Sequence, residues 1–141
     1  MGSTLQIEHW SVMMPAFLLA GFSIFWVAGF DIIYALLDED SDRQNQIHSM
    51  PADFGKANAL RASLIFHAFS LLCLSALVGN YLHSLTAAFI FCAIAGLFVL
   101  SHWKVSRAQE LTPDIIDFAF FKVNATIGFL VFALVLTGAF K

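Results

Sequence analysis

Charge is what this chain has least of: Asp, Glu, Lys and Arg together make up 12% of 141 residues. Seven Lys and Arg, none gathered into a basic stripe, exclude a nucleic-acid partner. The two cysteines, Cys73 and Cys92, fall in apolar stretches without metal-ligand spacing. They read as small core hydrophobes, which excludes a disulfide framework and a zinc site. Only three prolines interrupt the chain. Met1 to His9 lacks the basic start of a secretory signal, and the apolar run after it is long enough to span a bilayer.

What is present is apolar. The hydrophobic fraction is 60% and the mean hydropathy +0.80, above the roughly 45–50% of soluble domains. His9 to Phe30, the stretch between Arg61 and Lys104, and Val123 to Phe140 carry no formal charge. A spanning helix needs about 20 such residues. Gly79-Asn80 and His83-Ser84 divide the middle stretch in two. The sequence thus predicts an all-α membrane protein, one membrane domain over residues 1–141. Its four transmembrane helices fall at about 10–35, 61–82, 85–104 and 114–140. Trp10 is an interfacial aromatic, and Thr112 caps helix four before Pro113. Arg43, Lys56 and Arg61 lie in one loop, Lys104 and Arg107 in another, and none near the 79–84 turn. Positive charge collects on the cytoplasmic side, so both loops are predicted cytoplasmic and both chain ends outside. An outward N-terminus further predicts that another segment normally precedes this one.

Chemistry concentrates where charge does. Asp31, Tyr34, Asp38 and Asp42 follow i, i+3, i+7, i+11 spacing, which in one α-helix forms a single stripe. An aspartate at bilayer depth costs several kcal/mol, on the order of 3 by insertion scales, so Asp31 should face a polar cavity or a partner. Asp38 and Asp42 repel each other unless a cation lies between them, and hard oxygens with room for water suit Mg²⁺ beside a phosphate. Glu39 and Asp40, off the stripe, read as a solvated cap. Pro51 and Gly55 punctuate an irregular connection running to Leu60, and long ordered loops are usually functional.

The string Gly29-Phe30-Asp31-Ile32-Ile33-Tyr34-Ala35-Leu36-Leu37-Asp38-Glu39-Asp40-Ser41-Asp42-Arg43, with Ile47-His48-Ser49-Met50-Pro51-Ala52 and Phe54-Gly55, resembles the second aspartate-rich motif of the UbiA superfamily of intramembrane prenyltransferases. The 4-hydroxybenzoate polyprenyltransferase type of the quinone pathways is the nearest in pattern. Phe120-Phe121 and Asn124 resemble the start of the family's last helix. The resemblance implies a nine-helix bundle in a bacterial inner membrane, with two aspartate-rich motifs holding Mg²⁺ against a polyprenyl diphosphate. An aromatic acid then attacks the allylic cation. It implies that Asp38 and Asp42 are the catalytic metal and diphosphate residues, that Asp31 and Tyr34 line the pocket below, and that Arg43 and His48 contact substrate.

This sequence departs from the pattern in places. Gln46 and Asp53 stand where relatives have glycine and arginine, and the first motif, N-D-x-x-D-x-x-x-D, does not occur; Asp114 and Asp117 have the wrong spacing to replace it. The expectation is therefore the C-terminal half of such an enzyme, helices six to nine: a split subunit, a truncated gene product or a fragment, inactive alone and, as a split subunit, partnered by a chain carrying the first motif. Two rivals are a silent remnant or assembly subunit of the same fold, and a small haem-binding membrane subunit. The haem reading would use His67 and His102, whose depths differ by about 6 Å at helical rise. They are otherwise hydrogen-bonding core histidines. Lys122 reads as an interfacial side chain within reach of a diphosphate.

Overall fold

The computed structural model describes residues 2–108 and 112–139, with side chains described from Met13 onward except at 109–111, 113, 116, 119, 120 and 139. Trp10, Phe120 and the predicted end of helix four at 140 fall outside these. The elements are α1 (Gly2–Ala35), α2 (Glu39–Gln44), α3 (Met50–Leu77), α4 (Leu85–Arg107), α5 (Pro113–Ile116) and α6 (Val123–Ala139). No strand occurs among the described residues. Met13–Ala35, Met50–Leu82 and Leu85–Arg107 are each long and apolar enough to cross a membrane, and Val123–Gly138 is a shorter apolar helix. Their large apolar side chains stay outward all round, among them Phe89 and Phe129, each 75% exposed. That is a lipid-facing exterior. The protein is an all-α membrane protein.

Two boundaries differ from the sequence reading. The second long helix begins at Met50, not near 61. Ser49 is in extended conformation and its side chain accepts from the Ala52 N–H, so it caps the helix, and Pro51 sits in the first turn, where its missing N–H costs nothing. Gly55 does mark an irregularity, at φ 77, but as a kink inside the helix rather than a loop. The fourth helix is not uniform: α5 passes through a π-helical stretch, Asp117–Lys122, into α6. A second π-helical turn, Val78–Leu82, ends the α3 span, and Ser84 then caps α4 by accepting from the Ala87 N–H at 3.1 Å.

α1 packs chiefly along α3, and α4 chiefly along α6. The α1–α3 seam is antiparallel and carries polar rungs. Ser63 Oγ donates to the Gly29 carbonyl at 2.7 Å and Ser70 Oγ to the Phe22 carbonyl at 2.9 Å. Both serines are fully buried, and in hydrocarbon such hydroxyls need protein acceptors. Gly21 and Gly29 allow the close approach, Gly21 against Cys73 and Gly29 against the His67 ring. Cys73 and Cys92 are both free thiols. At one end of the bundle Lys56 Nζ donates to the Ala108 carbonyl at 2.8 Å. That bond ties the start of α3 to the end of α4 at the polar end of the bundle, the mouth.

Candidate active site

α1 stops at Ala35 instead of running on through the acidic string. Leu36, Leu37 and Asp38 close the end with tight bonds to Ile33, Tyr34 and Ala35 carbonyls at 3.3, 3.1 and 3.2 Å. The predicted single-helix stripe is therefore broken. Electrostatics gives the reason. Carboxylates are disfavoured at the negative C-terminal end of a helix and favoured at an N-terminal end. Ending α1 and opening α2 moves Glu39, Asp40 and Asp42 into a first turn.

Within that arrangement Asp38 and Asp42 remain neighbours along the backbone. Asp38 immediately precedes α2, and its carbonyl accepts from the Asp42 N–H at 2.7 Å, so the two are one helical turn apart. The Asp38 side chain makes no capping bond. Its carboxylate is exposed, and that of Asp42 is half-buried. Asp31 and Tyr34 lie on the last turns of α1 and both are exposed, on the same face as Ile24 and Val27.

Arg43 and His48 are engaged nearby. Arg43 Nη2 pairs with Glu39 Oε1 at 3.0 Å, and His48 Nδ1 lies 3.1 Å from Asp53 Oδ1. Glu39 is consequently not a solvated cap, since its side chain is only 21% exposed. Gln46 has φ 57, the left-handed region in which glycine is strain-free. Lys122 pairs loosely with Asp117 at 3.6 Å, and Lys104 lies over the Phe118 ring.

Below the mouth, a cavity of about 380 Å³ opens between α1 and α6, lined by Trp26, Val27, Phe30, Asp31, Asn124 and Ala125. Trp26 Nε1 donates to Asn124 Oδ1 at 2.9 Å. The spacing of these two residues gave no sign of the pairing, because 98 positions separate them. A larger cavity, about 460 Å³, lies at the opposite end among Pro15, Leu19, Leu77, Tyr81 and Val135; its lining is almost wholly apolar and holds no carboxylate.

His67 and His102 come together in the core. Their ring centroids are 5.0 Å apart with planes at 87°, and His67 stacks on Phe98 at 4.3 Å. Rings in direct edge-to-face contact leave no room for a macrocycle between them, so the haem reading fails on geometry. His102 is hydrogen-bonded, its Nδ1 at 3.0 Å from the Phe98 carbonyl and its Nε2 at 3.2 Å from Ser63 Oγ.

Comparison with known proteins agrees with the motif. The profile of the UbiA prenyltransferase family matches residues 1–125. A 4-hydroxybenzoate octaprenyltransferase of Tolumonas auensis is 30% identical over 113 residues, a match that takes in 79% of this chain and 37% of the relative. The chain thus spans little more than a third of that protein's length. No solved structure matches it. With that family's profile matching residues 1–125, most of its length, the chain belongs to the UbiA prenyltransferase family.

Proposed function

We propose that this chain supplies the second-motif wall of a Mg²⁺-dependent transferase that moves a polyprenyl group from its diphosphate to an aromatic acid in quinone biosynthesis. The observation that carries this reading is the uncapped Asp38 one turn from Asp42, at the mouth above Asp31. Among the described residues no three His, Cys, Asp or Glu side chains form a closed metal cage. Two hard carboxylates at an open mouth nevertheless fit Mg²⁺, which takes one or two and fills its remaining positions with water and phosphate oxygens. Asp38 and Asp42 would hold it, and bound there it neutralises charge on the departing diphosphate. Asp31 and Tyr34 line the acceptor side. Arg43 and His48 reach substrate by exchanging Glu39 and Asp53 for it.

The first-motif carboxylates are not among these 141 residues, so the purified chain is expected to show no prenyl transfer at any Mg²⁺ concentration. Co-expression with a membrane chain bearing N-D-x-x-D-x-x-x-D should restore transfer. Robust Mg²⁺-dependent transfer by the isolated chain, lost in Asp38→Ala, would overturn this and place the site in a homodimer. No transfer by the pair would leave the silent assembly subunit.

In this reading the protein sits in a bacterial inner membrane with its acidic loop in the cytoplasm, because the basic residues gather at that end. In a background lacking Cys73 and Cys92, a cysteine at Gln46 should label only from the cytoplasmic side and one at Asn80 only from outside. Labelling of both from one side would remove this topology.

A further inference from the structure

The groove between α1 and α6 has a chemical polarity that its apolar surroundings do not require. An indole N–H can only donate, so the Asn124 amide must turn its oxygen to Trp26, at 2.9 Å. The amide orientation is thereby fixed by chemistry. Its NH₂ edge, a donor, faces the other way. Trp26 itself is held in an aromatic ladder on α1, with Phe22 at 5.4 Å and Phe30 at 6.1 Å between centroids. One turn beyond Asn124, Gly128 lies beneath the indole, where a Cβ would come 3.8 Å from it. Asp31 lines the same cavity and offers only acceptors when ionised. The remaining walls, Val27, Phe30 and Ala125, are apolar.

We infer that this groove is a hydroxyl-recognising subsite for the aromatic acceptor, with Asn124 as a binding residue and Trp26 as the residue that positions it. The inference rests on the transferase reading above. A ring-bound hydroxyl satisfies both polar groups at once, donating to Asp31 and accepting from Asn124. A carboxylate in the same place would meet Asp31 with like charge, so it is the hydroxyl rather than the acid group of a hydroxy-aromatic acid that enters the groove. The volume of about 380 Å³ accommodates a single ring, given that a cavity of roughly 150 Å³ already takes up benzene.

The test uses the full chain in lipid nanodiscs with ¹⁵N-labelled tryptophan, the Trp26 indole signal being assigned by its loss in Trp26→Phe. Titration with 4-hydroxybenzoate should shift that signal saturably, while 4-methoxybenzoate, which cannot donate, should leave it unmoved. Asn124→Asp keeps an acceptor for the Trp26 indole but removes the amide donor; the indole signal should persist, with 4-hydroxybenzoate binding weakened about tenfold or more. Equal shifts from the two benzoates, no shift at all, or undiminished binding in Asn124→Asp would each overturn the subsite. The transferase reading fails separately. If the co-expressed pair transfers prenyl groups while Asn124→Asp leaves the acceptor KM unchanged, the function stands and the subsite falls.

Discussion

Alanine at Asp38 or Asp42 is expected to lower prenyl transfer by the assembled enzyme by about 10²–10³-fold or more, the range seen when one group stabilising developing charge is removed. The two carboxylates stand one turn apart at an open mouth, and neither is neutralised by an ion pair with another described residue. Removing either takes away one of the two carboxylates proposed to hold the metal. Glu39→Ala is the informative control. Glu39 lies beside Asp38 in sequence but pairs with Arg43 at 3.0 Å, and an i, i+4 pair at a surface contributes about 0–1 kcal/mol. Its loss should change turnover by no more than a few-fold, measured as Mg²⁺-dependent transfer at saturating substrate. If Glu39→Ala proved as damaging as Asp38→Ala, the division of the acidic run between site and support would be wrong.

The second large effect concerns stability. A methyl group at position 29 would lie 2.5 Å from both Cδ2 and Nε2 of His67. That ring has nowhere to retreat, being stacked on Phe98 at 4.3 Å, edge-on to Phe30 at 4.8 Å and fully buried. α1 and α3 must therefore separate, which stretches the Ser63 bond to the Gly29 carbonyl. Gly29→Ala should cost about 1–3 kcal/mol, the usual penalty of overpacking, with a matching fall in the unfolding temperature in detergent. Gly96→Ala on α4 meets nothing within 4 Å and should be neutral or mildly stabilising. Pairing Gly29→Ala with His67→Ala should recover part of the loss, because the obstruction is then gone. A Gly29→Ala protein as stable as its parent would show that the seam is looser than described.

The long apolar helices could be read from the sequence because nothing interrupts them: absence of charge is a signal that tertiary contacts do not alter in a bilayer. Boundaries were harder. Pro51 and Gly55 carry the composition of a loop, yet Ser49 caps a helix in which Pro51 occupies an early turn and Gly55 a kink. The aspartate spacing fits an unbroken helix equally well; only the preference of carboxylates for a helix start breaks it after Ala35. Asp38 and Asp42 survive that break because one turn of α2 keeps them together. The Trp26–Asn124 pair had no local trace, since two helices far apart in sequence must pack before it exists. His67 and His102 were placed near the same end but judged by depth alone. The lateral packing of α3 against α4 is what brings their rings into contact.

The serine rungs also have a rotational consequence. Phe22 and Gly29 are seven residues apart, nearly two full turns at about 100° per residue, so the carbonyls that Ser70 and Ser63 engage lie on almost one azimuth of α1. Asp31 follows Gly29 by two residues, about 200° around the axis, and Val27 precedes it by the same arc. Fixing the seam at two heights therefore removes the freedom of α1 to spin and aims Asp31 directly away from α3. A helix free to roll by a single residue's arc would carry that carboxylate out of the groove. Two hydroxyls remote from any chemistry thus set the bearing of the acidic side chain on which the groove depends.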